Sequence, residues 1–480
     1  METTYDVKIW KTEVYRGKRL TSYTVRWKVA GQEWREPFRT SALAESFRSG
    51  LTSATRKGEA FNVLTGRPLS MDRVSVDEKW YDHACKFVDL KWPHVAATTR
   101  RTHAEAMTAV TMLMLKTEAP DPKLIRTVLR VWGFNTVKRA DPKMPEEQKA
   151  ALAWVKRNSR PVAALSAPET LRAVLNGLTL KLDGEPMASS VLTRRRKIFG
   201  TSLEYAVERK LLTSNPIPKL KWTAPKSSGS VDRRRVANPR QAATLLDSVR
   251  RQGRWGRHMV AFYGCLYYAA LRPEEAVALR RSNLVLPAEG WGSMTIESAE
   301  PYAGKEWTNT GENRDRRQLK QRDRGETRTI PISPPLTLLL NEHLALYRPK
   351  SGGRIFWGER NRDELPVGTV HRVWSWARKD AFTAEVAASP LAAVPYDLRH
   401  AAVSTWLNGG VPPTQVAEWA GHSVEVLLKI YAKCLDGGAG EMQRRMESAL
   451  GLGPAARGTR PAKNFPAYSP QTSPRIPRER

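Results

Sequence analysis

The chain has 480 residues, with 79 Lys and Arg against 48 Asp and Glu and a formal net charge of +31 at pH 7. Its length exceeds one ordinary hydrophobic core, so roughly two to four domains are expected, and its positive surplus points to a polyanionic partner, nucleic acid. Cys85, Cys265 and Cys434 are too few and too scattered for a disulfide framework or a C-x-x-C zinc site, which predicts a reducing compartment.

From the N-terminus, "METTYDVKIWK" lacks an apolar signal core, and the longest apolar run, "MVAFYGCLYYAAL" at 259–271, falls short of a membrane span. A soluble cytoplasmic protein with no membrane partner is therefore expected. In "YTVRWKVAGQEWREPF" (23–38), Tyr23, Val25, Trp27 and Val29 alternate with Thr24, Arg26 and Lys28, and Gly31 supplies a turn. Period two predicts a half-buried hairpin. With the strand-like "DVKIWKTEVYRGKR" before it and a helix bearing Leu43, Phe47, Leu51 and Ala54 after it, the hairpin makes a small sheet-plus-helix unit. Its basic outer face suits DNA, and equally a structural or protein-binding appendage.

From about 75 to 222 the pattern is helical, in "VDEKWYDHACKFVDL", "TRRTHAEAMTAVTMLML" and "SSVLTRRRKIFGTSLEYAVERKLL", the last stopping at "TSNP". Arg194, Arg195, Arg196 and Lys197 are consecutive, so they cover every side of that helix and some must project outward, where they suit phosphate contacts or a solvated end. "TAPKSSGSVDRRR" (223–235) has nothing to bury and reads as a flexible linker. Residues 236–450 form a further domain, mostly helical with strands near 293–298 and 328–332. The tail 451–480 combines six prolines with basic residues, and disorder is expected there. No internal repeat is evident.

Three placements in 236–450 are unusual. The apolar run ends in "LRPEEAVAL", putting Arg272 where one buried helix stops and Pro273 starts another. A guanidinium there either pairs with Glu275 as a structural clamp or is held to receive an anion. In "VPYDLRHAAVSTWLNGGVPPTQVAEWAGH", Arg399 lies near the start of one helix and His422 follows the Gly421 that ends another. In "VEVLLKIYAKC", Tyr431 continues the apolar face of Leu427 and Leu428, the position of an ordinary core-edge aromatic.

In order, "ALRPEE", a Lys in a basic stretch before a strand, "YDLRH", "GH" and a helical Tyr resemble the tyrosine recombinase (phage integrase) family over about 236–440. The likeness is to integrases of actinobacterial phages or integrative elements, and the Ala- and Arg-rich composition fits a GC-rich bacterial genome. The resemblance implies a multidomain, mainly α fold with small β elements. It would comprise an arm-type DNA-binding-like domain (1–70), a helical core-type DNA-binding domain (75–222), the linker 223–235, a mixed α+β catalytic domain (236–450) and the tail 451–480. It makes Arg272 and Arg399 the catalytic arginines, Glu275 a supporting carboxylate, His422 the later histidine and Tyr431 the nucleophile. Lys320, in "QLKQRDRGETRTIPI", matches the hairpin lysine because Arg328 and "TIPI" match the strand that follows it; Lys305 is a competitor further from that strand. One position departs from the pattern. Relatives place His or Lys three residues before the second arginine, and here that residue is Tyr396, whose phenol holds its proton at neutral pH, with a reference pKa of about 10. His400 lies about one helical turn further on and is not expected to substitute. Either Tyr396 serves as a donor only, or His422 carries the proton transfer alone.

The implied chemistry is cleavage and rejoining of double-stranded DNA attachment sites through a 3′-phosphotyrosine, with two guanidiniums gripping one phosphate and Lys320 protonating the departing 5′-oxygen. No cofactor and no metal are expected. A tetramer on DNA is implied, with a DNA-bending or directionality factor as a possible further partner. The helix at 439–453, with Met442, Met446, Ala449 and Leu450 on one face, either docks on a neighbouring subunit or packs on its own domain. The other readings are a resolvase-type recombinase, an inactive recombinase-fold regulator, for which Tyr396 speaks, and a metal-dependent transposase that would not need Tyr431.

Overall fold

A computed structural model describes residues 3–17, 21–71, 78–223, 231–320, 323, 325–358, 364–431 and 439–451. The chain divides into two compact units, Met1–Ser228 with Pro301–Asp315, and Gly229–Glu300 with Arg316–Arg480. The fold is mainly helical, with small antiparallel sheets at the N-terminus and one three-stranded sheet in the second unit, the class the sequence predicts.

In the first unit, strand Thr21–Val29 buries Val25, Trp27 and Val29, as the period-two pattern requires. Ala30 and Gly31, both at positive φ, turn it into Gln32–Phe38, while Val7–Ile9 and Glu13–Arg16 also pair with it. Helix Ser41–Arg56 lies over this sheet with Ala44, Leu51 and Ala54 buried, and Phe47 meets the rings of Trp27 and Phe38 at 5.4 and 5.3 Å. Leu43 departs from expectation: it is 57% exposed, because the face that runs through Phe47 and Leu51 reaches back one turn to Ala44. The outer basic face is partly neutralised, since Arg26 donates to Glu13 at 2.7 Å and to Glu33 at 3.0 Å.

The helical part of this unit includes Trp80–Lys91, Ala97–Leu113 and Ser189–Glu208 around Trp80, Phe87, Met107, Phe134, Phe199 and Leu203. Of the basic run, Arg194 and Lys197 are exposed, while Arg195 and Arg196 are half-buried, with Arg196 lying 5.5 Å over the Trp222 ring. The segment Pro301–Asp315, which in sequence interrupts the second unit, belongs here. Buried Arg100 donates to the Trp307 carbonyl at 2.9 Å and to Asn309 at 2.7 Å, and Asn135 donates to the Glu306 carbonyl at 2.7 Å. Lys305 is exposed on this segment.

In the second unit the apolar run forms helix Gly253–Tyr268, packed against Pro239–Arg251, Pro334–Leu346 and Asp397–Asn408. Leu284–Val285, Gly292–Ile296 and Arg328–Ile332 pair antiparallel in that order. Helices Asp397–Asn408, Pro413–Ala420 and Val424–Tyr431 enclose a smaller cluster of Ala402, Val403, Val416, Ala420, Leu427 and Tyr431. Helix Ala439–Ala449 leaves Met446 and Leu450 exposed. Linker residues 224–230, Cys434, the Met442 side chain and the tail beyond 451 lie outside the described residues. Among the described residues no helix is long and apolar enough to cross a membrane.

Candidate active site

The site starts from a backbone irregularity. Helix Gly253–Tyr268 ends with Ala270 in the left-handed region at φ 49, after which Pro273–Ala278 begins. A residue with a Cβ is strained there by about 1 kcal/mol relative to glycine. The turn aims the Ala270 carbonyl at Arg399, whose Nη1 donates to it. Arg399 Nη2 donates to the Ala420 carbonyl at 2.5 Å and to His422 Nε2 at 2.8 Å, and Arg399 is wholly buried. Among the described residues its Nε–H has no hydrogen-bond partner.

Arg272 comes to the same place from 127 positions earlier in the sequence. Its Nη1 donates to Glu275 Oε1 at 2.7 Å and its Nη2 to the Gly421 carbonyl at 2.7 Å, one residue beyond the Ala420 carbonyl that Arg399 holds. Glu275 is buried and also accepts from the Arg272 backbone N–H at 2.9 Å. The structural clamp between Arg272 and Glu275 is formed, and it fixes the guanidinium.

Sequence reading missed the third guanidinium. Arg328 was noted only as a marker of its strand, yet it is buried and grips Glu275 in bidentate fashion at 3.0 and 2.7 Å, with Nε donating to the Trp419 carbonyl at 2.9 Å. The signal was present: Arg328 shares the inward parity of Ile330 and Ile332, and a guanidinium on an apolar strand face requires a partner. Burial pushes the Glu275 carboxyl up, but Arg328 and then Arg272 outweigh it and bring the pKa down to about 2. Burial, and next the nearby charge of Arg272, lower the pKa of Arg399. Arg272 and Arg328 thus share one carboxylate, Glu275, whose charge also acts on Arg399. The cluster carries more positive than negative charge, which favours an anion beside it.

Gly421 holds this geometry. It caps Pro413–Ala420 at φ +64, and a Cβ there would lie 2.9 Å from Arg328 Nη1 and 3.3 Å from Arg272 Nη1. Gly421→Ala is expected to cost about 1–2 kcal/mol from the backbone alone, and more from displacing the buried Arg328 and the partly buried Arg272. A fall in melting temperature together with weakened anion binding would check it; loss of stability alone would count against a role in the site.

Tyr431, at the end of Val424–Tyr431, is 1% exposed. Its hydroxyl lies 2.8 Å from His400 Nδ1, and its ring stacks on His422 with centroids 6.2 Å apart. The linker end reaches this helix too, because the Val231 N–H donates to the Ile430 carbonyl at 3.1 Å. Tyr396 is half-buried at the start of Asp397–Asn408, edge-on to His400 at 5.1 Å. Lys320 is exposed on the connection leading to Arg328–Ile332. Arg272, Glu275, Tyr396, Arg399, His422 and Tyr431 therefore come together, while Arg194–Lys197 belong to the other unit. Among the described residues no group of three or more His, Cys, Asp or Glu is placed to hold a metal ion.

Both histidines are neutral at pH 7. Burial, then Arg399, takes His422 to about 3 and His400 to about 4. Because these folded values lie below the unfolded value of about 6.5, the unfolded chain binds the extra protons first as pH falls. Stability is full above about pH 6.5 and drains as pH drops toward 4. Urea midpoints measured from pH 8 to 4 should show that fall, and His400→Asn should flatten part of it.

No protein-family model matches the sequence, and no curated protein matches it. Solved structures with a similar fold include the Tn1549 transposon integrase (residues 82–397) in complex with circular-intermediate DNA, at 14% identity, 68% of this chain, 98% of that chain and TM-score 0.45. A lambda integrase dimer bound to a COC′ core site has 13% identity, 85% and 91% coverage and TM-score 0.43. The XerH site-specific recombinase on palindromic difH has 11% identity, 74% and 96% coverage and TM-score 0.40.

Proposed function

We propose that the protein is a tyrosine-type site-specific DNA recombinase that integrates, and in reverse excises, a mobile element. The observation that carries this reading is the convergence of Arg272 and Arg399, 127 positions apart in sequence (399 − 272), on adjacent carbonyls at Ala420 and Gly421, beside a tyrosine hydroxyl paired with a histidine. A phosphodiester is an anion that repels nucleophiles, and paired guanidiniums stabilise the charge that grows on its nonbridging oxygens. Tyr431 attacks phosphorus and becomes joined to the 3′-phosphate, and a 5′-hydroxyl leaves with a proton from Lys320. The covalent link stores the ester bond, so a partner strand's 5′-hydroxyl reseals it without ATP. His422, accepting from Arg399, keeps its ring proton on Nδ1, which has no partner among the described residues and suits donation to the phosphate. Four protomers on two attachment sites would complete the exchange, in the cytoplasm of a bacterium.

The test is covalent capture. Randomised duplexes, each carrying a nick, are incubated with the protein in EDTA and denatured in SDS. A protein–DNA adduct is expected with the unaltered chain and not with Tyr431→Phe. An adduct that survives the substitution would reassign the nucleophile, and no adduct at all would favour a DNA-binding regulator. With a net charge of +31, affinity for DNA should also fall with salt, by at least about 10³-fold between 50 and 200 mM. A flat dependence in a filter-binding titration would count against phosphate-dominated binding.

A further inference from the structure

The expected proton acceptor is absent from position 396, where a phenol stands, and the structure supplies a different imidazole. His400 Nδ1 is 2.8 Å from the Tyr431 hydroxyl, across 31 positions of sequence, in a region where both side chains are largely shielded from water. Resting on the recombinase reading, we propose that His400 is the general base of cleavage, taking the Tyr431 proton through Nδ1 and returning it on rejoining.

The electron accounting closes without another reactant. The phenolic O–H bond breaks and its proton goes to Nδ1, giving an imidazolium. The freed oxygen pair forms the bond to phosphorus. The bond from phosphorus to the 5′-oxygen breaks, its pair leaves on that oxygen, and a proton arrives from an acid on the leaving side.

The surroundings suit the role. Around the His400 ring stand Tyr396, Tyr431 and His422, with the charges of Arg399 and Arg235 acting on it. Burial and those two guanidiniums keep the ring neutral in the free protein, so the acceptor lone pair is available. A phosphate entering beside Arg399 brings the opposite charge, which raises the basicity of His400 when a substrate is in place. His422 is the weaker choice as base, since its Nε2 is taken by Arg399. The sequence placed His400 one turn from Tyr396 and so set it aside, but the relevant partner is the helix that arrives from residue 424 onward, not position 396.

The experiment measures single-turnover adduct formation on a nicked duplex recovered from the capture above. His400→Asn retains a polar atom near the Nδ1 position and removes basicity. It should slow cleavage at pH 7 by about 10²-fold or more. The defect should persist on a substrate whose leaving 5′-oxygen is replaced by sulfur, which needs no acid. It should be relieved when Tyr431 is replaced by a fluorinated tyrosine with a more acidic phenol. A rate within about threefold of the unaltered protein, or rescue by the sulfur substrate, overturns the assignment, as does no recovery with the fluorinated phenol. Should His400→Asn fail to fold, the chain with His400 intact still decides. The fluorinated phenol must flatten the acid limb of its pH–rate profile, and an unchanged limb overturns the proposal. No adduct from the unaltered protein sinks the recombinase reading, and this one with it. A full-rate adduct from His400→Asn sinks this one alone.

Discussion

Arg399→Lys is expected to lower the rate of DNA cleavage by about 10²–10³-fold, the effect of removing one preorganised donor from a developing oxyanion. The wild-type guanidinium spans the Ala270 carbonyl on one side and the Ala420 carbonyl and His422 Nε2 on the other, with Nε–H left over. An ammonium is a single point with three donors and cannot bridge those groups and also reach a phosphate. Each buried carbonyl it abandons costs about 1–3 kcal/mol, so a lower melting temperature should accompany the slower cleavage. Rapid-quench cleavage assays beside thermal melts would separate the two effects. A lysine variant that cleaves at the original rate would remove Arg399 from the chemistry.

Glu275→Ala should produce the largest loss of stability from a single change in the second unit. It strands the buried Arg328 and the partly buried Arg272 without their shared carboxylate, and breaking a buried pair in this way costs about 3–5 kcal/mol. For a unit of this size the fall in melting temperature is on the order of 10 °C. Removing the second cation as well, in Glu275→Ala with Arg328→Met, should recover part of the loss, and a double-mutant cycle gives the coupling directly. The acid behaviour has a definite sign. Glu275 is depressed from an ordinary carboxyl to about 2, so its contribution is fully present above about pH 4.3, the unfolded value, and is lost as pH falls through about 2. The Glu275→Ala chain should lack this second phase of acid unfolding. Retention of it would mean that another carboxylate is responsible.

Much of this arrangement is legible in the sequence because its parts sit at helix boundaries. Arg272 precedes Pro273, His422 follows Gly421, and Arg399 opens a helix after Pro395, so local punctuation marks each one. The strands at Gly292–Ile296 and Arg328–Ile332 are readable from alternation, as is the N-terminal hairpin. What stays hidden is pairing across distance. Arg328 matters because it meets Glu275, 53 positions away, and His400 because it meets Tyr431, 31 positions away. Neither separation leaves a periodic trace. The Pro301–Asp315 segment is opaque for a related reason: its anchor, buried Arg100, lies more than 200 positions earlier. Leu43 against Ala44 shows the limit at short range, where two positions share nearly the same helical face and only the partner surface chooses between them.

Tyr431 is packed away at 1% exposure in the free protein, beside the ring of His422 and at the end of a helix pinned by Val231. On the recombinase reading, a nucleophile stored in this way cannot nick whatever duplex happens to drift past. Genome safety would then rest on mechanical access: the weapon is drawn only where binding at the correct address frees the segment that sheathes it.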